Sequence, residues 1–359
     1  MAMKIEGLKT SNLIKWFVLS IFIYTFNFSF AQRWEQIPIT SKTNIFAEAG
    51  IGGEGGQVIC AIKISPNENY MLMGTNTGGL FRREKSTGSW NPWTPCNNGF
   101  DSRGAGDFAI DPKNPDRVLG IGVSASTQSD HGLYLSTDKG KSWQAVKQLK
   151  MEGDVKGKHM VEYDPTSYSS ETGYCKIAYW VYYGKTDAED DGDAIYQTTD
   201  GGQTWSKISD LGFKGFVQVH PGTGEVFYAG HEGLYRSPKG ESDFTQIESG
   251  HFTGLDIPYQ SEQSVYACTR SKIYRSIDGG HSFSNYTPAG IGTPSMTNIR
   301  VSPVNTDQLI VSHQFRDFWW AWHPAYSTDG GQNLTELNQK QECFEQERSF
   351  FRVSEREGT

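Results

Sequence analysis

The chain of 359 residues lacks the composition of several protein classes. It has no excess of positive charge, because 33 Lys and Arg residues face 41 Asp and Glu residues for a net charge of −8. This acidic balance argues against nucleic acid or an anionic membrane surface as a partner. A hydrophobic fraction of 36% is too low for a bundle of membrane helices, and an aromatic fraction of 13% is too high for a disordered chain.

Cysteine is scarce. The five cysteines are Cys60, Cys96, Cys175, Cys268 and Cys343. An odd number leaves at least one of them outside any internal disulfide, and their spacing matches no metal-binding motif. We therefore predict buried single thiols, with neither a metal nor a cofactor.

A long apolar run lies near the N-terminus. Three lysines precede "WFVLSIFIYTF", and the small residues Ser29 and Ala31 follow at the spacing of a signal-peptidase site. We predict that residues 1–31 form a signal peptide cleaved after Ala31, which makes the protein secreted, periplasmic or extracellular. The alternative is an uncleaved anchor helix, for which the apolar run is short. After cleavage we expect no contact with a membrane.

Glycine and aromatic residues are plentiful, with 40 Gly, 10 Trp and 17 Tyr. This composition favours an all-β fold with many tight turns. The strongest signal is internal repetition. An apolar or aromatic strand followed by S/T-x-D-x-G-x-S/T-W recurs at 133–143, 195–205, 273–283 and 325–334, with weaker copies at 80–90 and 234–244. The copies recur every 39 to 62 residues, which suits a four-stranded propeller blade.

Each copy has the same context. An alternating strand that ends at a proline comes first, as in 107–112 and 216–221, and a second strand follows, as in 117–122. The strand order within a blade is therefore A, B, C, D. We predict a β-propeller over residues 32–338, with six blades visible and a charged tail at 339–359.

The blade count leaves two arrangements open. Residues 33–39 resemble an outer strand D that has no A to C strands before it, as a strand that completes the last blade would. We therefore expect a seven-bladed ring whose last blade is missing or incomplete. The alternative is a six-bladed ring with a helical or disordered tail.

The repeated template is the Asp-box, or BNR repeat, and its chemistry is structural. The Ser/Thr and Asp side chains satisfy backbone donors in the tight turn between strands C and D, glycine permits a positive φ, and Trp packs on the hairpin. Asp138, Asp200, Asp278 and Asp329 occupy the aspartate position. We reject a catalytic role for them, because a turn repeated from blade to blade cannot be one active site.

The ordered segments "GGEGGQV" (52–58), "GTNTGGLFR" (74–82), "AIDPKNPDRV" (109–118) and "GLYLSTDKGKSW" (132–143) carry a family resemblance. With them, the chain resembles the N-terminal propeller of family-74 glycoside hydrolases, the xyloglucanases, as a truncated or degenerate member. The similarity runs from about Trp34 to Trp205 and continues more weakly to Leu334. It implies an endo-β-1,4-glucanase that acts on or grips a β-glucan-like polysaccharide.

The resemblance also places the catalytic groups. The family's general base is an Asp in a loop of the first blade, where this chain has Asn76, and an amide cannot activate water as a carboxylate does. The family's general acid lies in a second propeller, which we expect this chain to be too short to contain. The catalytic residues therefore stay open, and the candidates to replace the base are Asp101, Asp107, Asp154 and Asp317.

Propeller geometry separates the loops into two faces. The A–B and C–D turns lie on one face, which we call the turn face, and the B–C and D–A loops lie on the other, the loop face. We predict a sugar groove on the loop face, because exposed Trp and Tyr stack on sugar rings. Its predicted substrate-binding residues are Asn76, Trp180, Tyr182, Tyr183, Arg316, Trp319, Trp320 and Trp322, from blades one, three and six.

The expected partner is a polysaccharide or oligosaccharide, and the expected state is a monomer. The connection between blades one and two, residues 90–107, is a third candidate binding loop. The acidic run at 187–193 fits a solvated loop better than a calcium site, because the EF-hand spacing is missing.

Other functions remain as alternatives. One is a non-catalytic propeller that binds glycans or, like sortilin, proteins. A sialidase would need an arginine triad, for which Arg103, Arg300 and Arg316 supply charge without the usual N-terminal Arg motif. A polysaccharide lyase would need a base and a cation, and nothing in their spacing selects the available residues, which are His159, Tyr163, Arg300 and His313.

Overall fold

The fold consists of antiparallel β-sheets that follow one another along the chain. The computed structural model describes residues 59–75, 78–102, 104–123, 132–148, 160–182, 193–213, 215–292, 295–314 and 322–337. In these ranges it contains 27 strands and one short 3-10 turn. The strands form six blade sheets with the order A, B, C, D from the inside outward, so the all-β propeller prediction is confirmed.

Among the first three blades, blades one and three carry small additions to the four-stranded plan, and blade two has four strands. Blade one comprises β1 (Ile59–Ile64), β2 (Tyr70–Thr75), β3 (Leu80–Ser86) and β4 (Ser89–Trp90), with β5 (Thr94–Pro95) pairing on β3; blade two comprises β6 (Gly104–Ile110), β7 (Val118–Val123), β8 (Gly132–Ser136) and β9 (Gln144–Gln148); blade three comprises β10 (Val161–Tyr163), β13 (Ala178–Tyr182), β14 (Ala194–Thr198) and β15 (Ser206–Ser209). Its A–B connection holds a 3-10 turn (Pro165–Ser167) and a hairpin of β11 (Tyr168–Ser169) and β12 (Tyr174–Cys175), which the sequence pattern did not predict.

The last three blades are plain four-stranded meanders. Blade four comprises β16 (Phe216–Val219), β17 (Val226–Ala229), β18 (Gly233–Ser237) and β19 (Thr245–Ser249); blade five comprises β20 (Phe252–Asp256), β21 (Val265–Thr269), β22 (Ile273–Ser276) and β23 (Ser284–Tyr286); blade six comprises β24 (Met296–Val301), β25 (Leu309–Gln314), β26 (Trp322–Ser327) and β27 (Thr335–Glu336). Residues 33–39 and 339–359, on which the seven-bladed prediction depends, lie outside the described residues.

The hydrophobic core lies between neighbouring blades. One cluster joins Leu119 and Leu133 of blade two to Val161, Trp180 and Trp205 of blade three. Other clusters join blades one and two, three and four, four and five, and five and six in the same way. Blade strands therefore bury side chains on both faces, which is why long stretches of them carry few charges.

The D-x-G turns between strands C and D share one hydrogen-bond pattern. In blade two, Asp138 Oδ1 accepts from the backbone N–H groups of Lys141 at 3.0 Å and Ser142 at 2.9 Å. Ser136 Oγ donates to Asp138 at 2.8 Å and accepts from Gly140 N–H at 2.9 Å. Corresponding bonds surround Asp200, Asp278 and Asp329. The predicted structural role of the aspartate is therefore what the geometry shows in these four blades.

Glycine is needed in these turns for two reasons. Gly140 has a φ of 75°, which side chains with a Cβ rarely adopt. A Cβ at this position would also lie 2.8 Å from a methyl carbon of Leu72 in blade one. The turn thus packs directly on the preceding blade, and Arg82 of that blade donates to the carbonyl of Lys139 at 2.7 Å.

The inner edges of the blades are joined by side chains of the A strands. Asp107 in β6 accepts from Met160 N–H of blade three at 2.7 Å. Gln218 in β16 likewise accepts from Ile257 N–H of blade five, and Asp256 in β20 accepts from Val301 N–H of blade six at 2.7 Å. Each of these side chains caps a backbone donor at the edge of the next blade.

The cysteines follow the predicted pattern where the structure describes them. Cys60, Cys96, Cys175 and Cys268 are buried, and none of the four forms a disulfide. Burial raises the pKa of the Cys96 thiol to about 12, which disfavours the reactive thiolate. The prediction of buried single thiols is confirmed for these four, and Cys343 lies outside the described residues.

Candidate functional site on the loop face

The loop face is formed by the connections that follow strands B and D. Many of the predicted site residues fall in parts of these connections that lie outside the described residues: Asn76, Asp154, Tyr183, Arg316, Asp317, Trp319 and Trp320. For Trp322 the backbone is described, and it begins β26 opposite Gln314. The placement of these side chains stays a prediction.

Asp101 is an exposed carboxylate in the D–A connection between blades one and two, three residues before β6 begins. Its neighbours on both sides, Phe100 and Ser102, are buried. The Phe100 ring lies 4.2 Å from that of Tyr134 and 5.5 Å from that of Trp143, both in blade two. The buried neighbours hold the backbone at Asp101, so its carboxylate is presented to solvent from a packed segment.

The segment that carries Asp101 also touches the loop that carries position 76. Asn97 Oδ1 accepts from Leu80 N–H at 2.6 Å, and a Cβ on Gly79 would meet the Asn97 side chain. At the other end of that loop, Thr75 Oγ1 accepts from Gly78 N–H at 2.8 Å. The two connections therefore lie side by side, with Asp101 four residues from the contact.

The prediction that Trp180 and Tyr182 bind substrate is wrong. Both lie in strand β13 and have 0% and 1% of their surface exposed. The Trp180 ring stacks on Tyr196 at 5.4 Å and meets Trp205 edge-on at 6.4 Å. These rings belong to the core between blades two and three, where no sugar can reach them.

Asp107 is also removed from the catalytic candidates. Its side chain is 2% exposed and lies at the inner edge of blade two, where it accepts from Met160 N–H. Lys63 of blade one is 3.8 Å away on the other carboxylate oxygen. A carboxylate held in this way joins blades and has no room for an activated water and a sugar.

The residues considered for the alternative chemistries are engaged in the fold. Tyr163 and His313 are 1% and 2% exposed, which leaves no room for a lyase base beside a polysaccharide. Arg300 lies 3.7 Å from Asp256. Burial raises the pKa of Asp256, although the Arg300 guanidinium opposes this shift. Arg103 and His159 lie outside the described residues.

Sequence analysis missed a cluster of rings on the loop face of blades four and five. Phe213, His231 and His251 come from three separate connections, and the His231 ring contacts the other two. Each stands alone in a short loop, so no local pattern marks it. Only the proximity of the three loops in the folded propeller identifies the cluster, and the sequence does not show that proximity.

The described residues offer neither a metal cluster nor a membrane-spanning helix. Among them, no group of three or more His, Cys, Asp or Glu side chains could hold a metal ion. In the same ranges no helix is long and apolar enough to cross a membrane.

The fold and the face define a class: an all-β propeller of four-stranded blades with D-x-G turns on one face and varied loops on the other. No protein-family model matches the chain. A xyloglucanase from Paenibacillus sp is 28% identical over 243 residues, which cover 64% of this chain and 21% of that protein. Xyloglucanase Xgh74A of Acetivibrio thermocellus is 28% identical over 254 residues, covering 67% and 27%.

Solved structures show the same fold. The GH74 enzyme of Niastella koreensis superimposes with a TM-score of 0.59 and 18% identity, covering 78% of this chain and 45% of that one. The GH74 xyloglucanase of Xanthomonas campestris gives 0.59 and 15%, covering 79% and 46%. The chain spans about a fifth to a quarter of the length of the curated relatives it matches. It resembles the propeller of the family-74 xyloglucanases, and it is a glycoside hydrolase-like propeller.

Proposed function

We propose that the chain is a secreted carbohydrate-active propeller that acts on a β-glucan of the xyloglucan kind across its loop face. The observation that carries the proposal is the similarity to xyloglucanases over 243 residues. Secretion is part of the proposal through the predicted signal peptide at residues 1–31, and the propeller at 32–338 is the part that meets the sugar.

Asp101 is the group that we assign to base catalysis: its carboxylate takes a proton from the attacking water, and the leaving sugar oxygen takes its proton from solvent, since we assign no general acid among the described residues. It is exposed on the loop face, and the segment that bears it contacts the loop of position 76. A carboxylate can activate water, whereas the amide of Asn76 cannot. Of the four original candidates, Asp107 is buried, and Asp154 and Asp317 lie outside the described residues.

The test is hydrolysis of xyloglucan by the purified full chain. We expect release of reducing ends by the wild-type protein and its loss in Asp101→Asn, with unchanged thermal unfolding. Asp243→Asn is the matched control, because Asp243 is an exposed carboxylate in the C–D connection of blade four, on the turn face. Equal activity of the two variants would remove Asp101 from catalysis, and no release of reducing ends from any β-glucan would remove the enzymatic proposal.

A second candidate function is a non-catalytic propeller that binds the polysaccharide, and Asn76 at the family's base position favours it. Here we expect saturable binding of xyloglucan without reducing-end release, weakened by Trp319→Ala or Trp322→Ala. Affinity gel electrophoresis measures the binding. Retention on no glycan at all would contradict this candidate as well.

A further inference from the structure

Three aromatic rings meet on the loop face of blades four and five, in connections that no catalytic prediction uses. Phe213 follows strand β15, His231 lies between β17 and β18, and His251 directly precedes β20. The His231 and His251 rings are 4.7 Å apart and inclined by 38°, and Phe213 meets His231 edge-on at 5.4 Å. Both histidines are exposed, and Phe213 is half-buried. We call these three residues the ring ledge.

The backbone beneath the ring ledge is fixed by Tyr228. Its hydroxyl donates to the carbonyl of Phe213 at 3.3 Å. A Cβ on Gly215 or on Gly230 would lie within 2.2 Å of the Tyr228 side chain, so only glycine lets these loops close around it. Burial raises the pKa of Tyr228 above its usual range, which keeps the hydroxyl a donor.

The connections are also tied to each other. Phe252 N–H donates to the carbonyl of Gly230 at 2.9 Å, which joins the His251 segment to the His231 loop. Within that loop, Gly230 N–H donates to Gly233 carbonyl at 2.9 Å. The rings are therefore mounted on a pre-ordered base, and a ligand would meet them without first ordering the loops.

The exposed side chains combine ring faces with polar edges. An imidazole offers a flat face together with nitrogens that donate or accept, and the exposed Glu232 next to His231 adds an acceptor. A pyranose presents C–H groups on its face and hydroxyls around its rim, which matches this combination. A protein partner bound at the same patch would need a larger apolar area than one half-buried Phe supplies.

We propose that the ring ledge is a sugar subsite, in which His231 and His251 stack on pyranose units of the polysaccharide. This proposal rests on the proposed function, because it assigns a second contact region for the same polymer. It sits on the blade four and five side of the loop face, away from Asp101 between blades one and two. A long polymer crossing the face would contact both regions.

The test is binding of xyloglucan to the full chain, measured by affinity electrophoresis and calorimetry. We expect His231→Ala and His251→Ala each to weaken binding about fivefold, as a lost ring contact does, and the double variant more. His251→Tyr keeps a flat ring with a polar tip and should retain most of the binding. His281→Ala is the control, because His281 is exposed on the turn face of blade five.

A second measurement follows ligand binding to the wild-type chain, and the variants serve only to assign the signals. The chain has 8 histidines, and their ring signals in nuclear magnetic resonance report contact directly. We expect xyloglucan oligosaccharides to shift the two signals that the His231 and His251 variants lack, and to leave the His281 signal unchanged.

The outcomes separate the two proposals. If the wild-type chain binds xyloglucan and the double variant binds equally well with no histidine shifts, the ring ledge is not a subsite and the proposed function stands. If the wild-type chain binds no polysaccharide, both proposals fall. If the two histidine variants lose binding while keeping the wild-type unfolding temperature, the subsite is supported.

Discussion

The two faces of this propeller use the same residue type for opposite purposes. On the turn face, Asp138 accepts hydrogen bonds from backbone groups three and four residues later, and its equivalents repeat these bonds from blade to blade. On the loop face, Asp101 stands exposed with buried residues on either side. Repetition marks a residue that builds the fold, and a single occurrence on a packed, varied connection marks one available for chemistry.

The largest expected effect on the free energy of unfolding comes from a substitution in the core, which lies between the two faces. Trp180→Ala should lower the free energy of unfolding by about 3–5 kcal/mol, because a fully buried Trp is removed from an aromatic cluster. Trp180→Phe, which keeps a ring there, should cost less. Denaturant unfolding measures both. If Trp180→Ala kept the wild-type stability and lost only sugar binding, Trp180 would be a substrate-binding residue on the loop face instead.

A turn-face aspartate should matter less. Asp200→Ala removes the acceptor for Gln203 N–H and Thr204 N–H, which are both near solvent. We expect a loss of about 1 kcal/mol, as for a lost helix cap. Asp243→Ala, on the same face outside a complete D-x-G pattern, should stay within about 0.5 kcal/mol of wild type. Equal effects of the two substitutions would argue against a structural role of the turn.

Acid should weaken the turn face by a smaller amount. The Ser282 hydroxyl, with backbone N–H groups, holds the pKa of Asp278 below its usual range, and the Asn333 N–H lowers that of Asp329 to about 2. Because folding lowers these pKa values, the stabilisation is present above about pH 4 and is lost as the pH falls through the folded-state values. Both carboxylates are half-buried and in contact with solvent, which screens the charge, so we expect a modest effect.

The measurement is the unfolding temperature between pH 6 and pH 2. We expect the wild-type temperature to fall as the pH drops below about 4, and the Asp278→Asn, Asp329→Asn double variant to fall less steeply. Asp243→Asn serves again as the control and should follow the wild-type curve. Parallel curves for the double variant and the wild type would contradict the assignment.

Asp101→Asn should have the smallest effect on stability. Its carboxylate is exposed, so we expect a change within about 0.5 kcal/mol in the free energy of unfolding. Loss of hydrolysis at unchanged stability would complete the contrast with Asp200. A large destabilisation would show instead that Asp101 also belongs to the scaffold, and denaturant unfolding distinguishes these results.

The blades and their turns could be predicted because their determinants are local. In the D-x-G turn, Ser276, Asp278, Gly280 and Ser282 bond to one another within six residues. The β11–β12 hairpin could not be predicted, since its support comes from another blade. Arg117 of blade two lies 4.1 Å over the Tyr174 ring and donates to the carbonyl of Gly201.

The aromatic run in blade three misled the prediction for a physical reason. Strand β13 buries Tyr179 and Val181 against blade four and Trp180 and Tyr182 against blade two. A strand buried on both faces shows no alternation, so an aromatic run in it resembles an exposed aromatic loop. Asp101 and Asp107 pose the same difficulty, because only the partners supplied by other blades separate the exposed carboxylate from the buried one.

The side chains that cap the inner strand edges have a consequence for solubility. The A strand is the inner edge strand of each blade, and a free strand edge can pair with a strand of another molecule. Asp107 and Asp256 cover the edges at Met160 and Val301, and they do so only when the next blade is in place. A ring interrupted between two blades would expose such an edge together with a buried carboxylate. We therefore expect incompletely assembled chains to aggregate through their inner edge strands, and completion of each junction to remove one site of self-association.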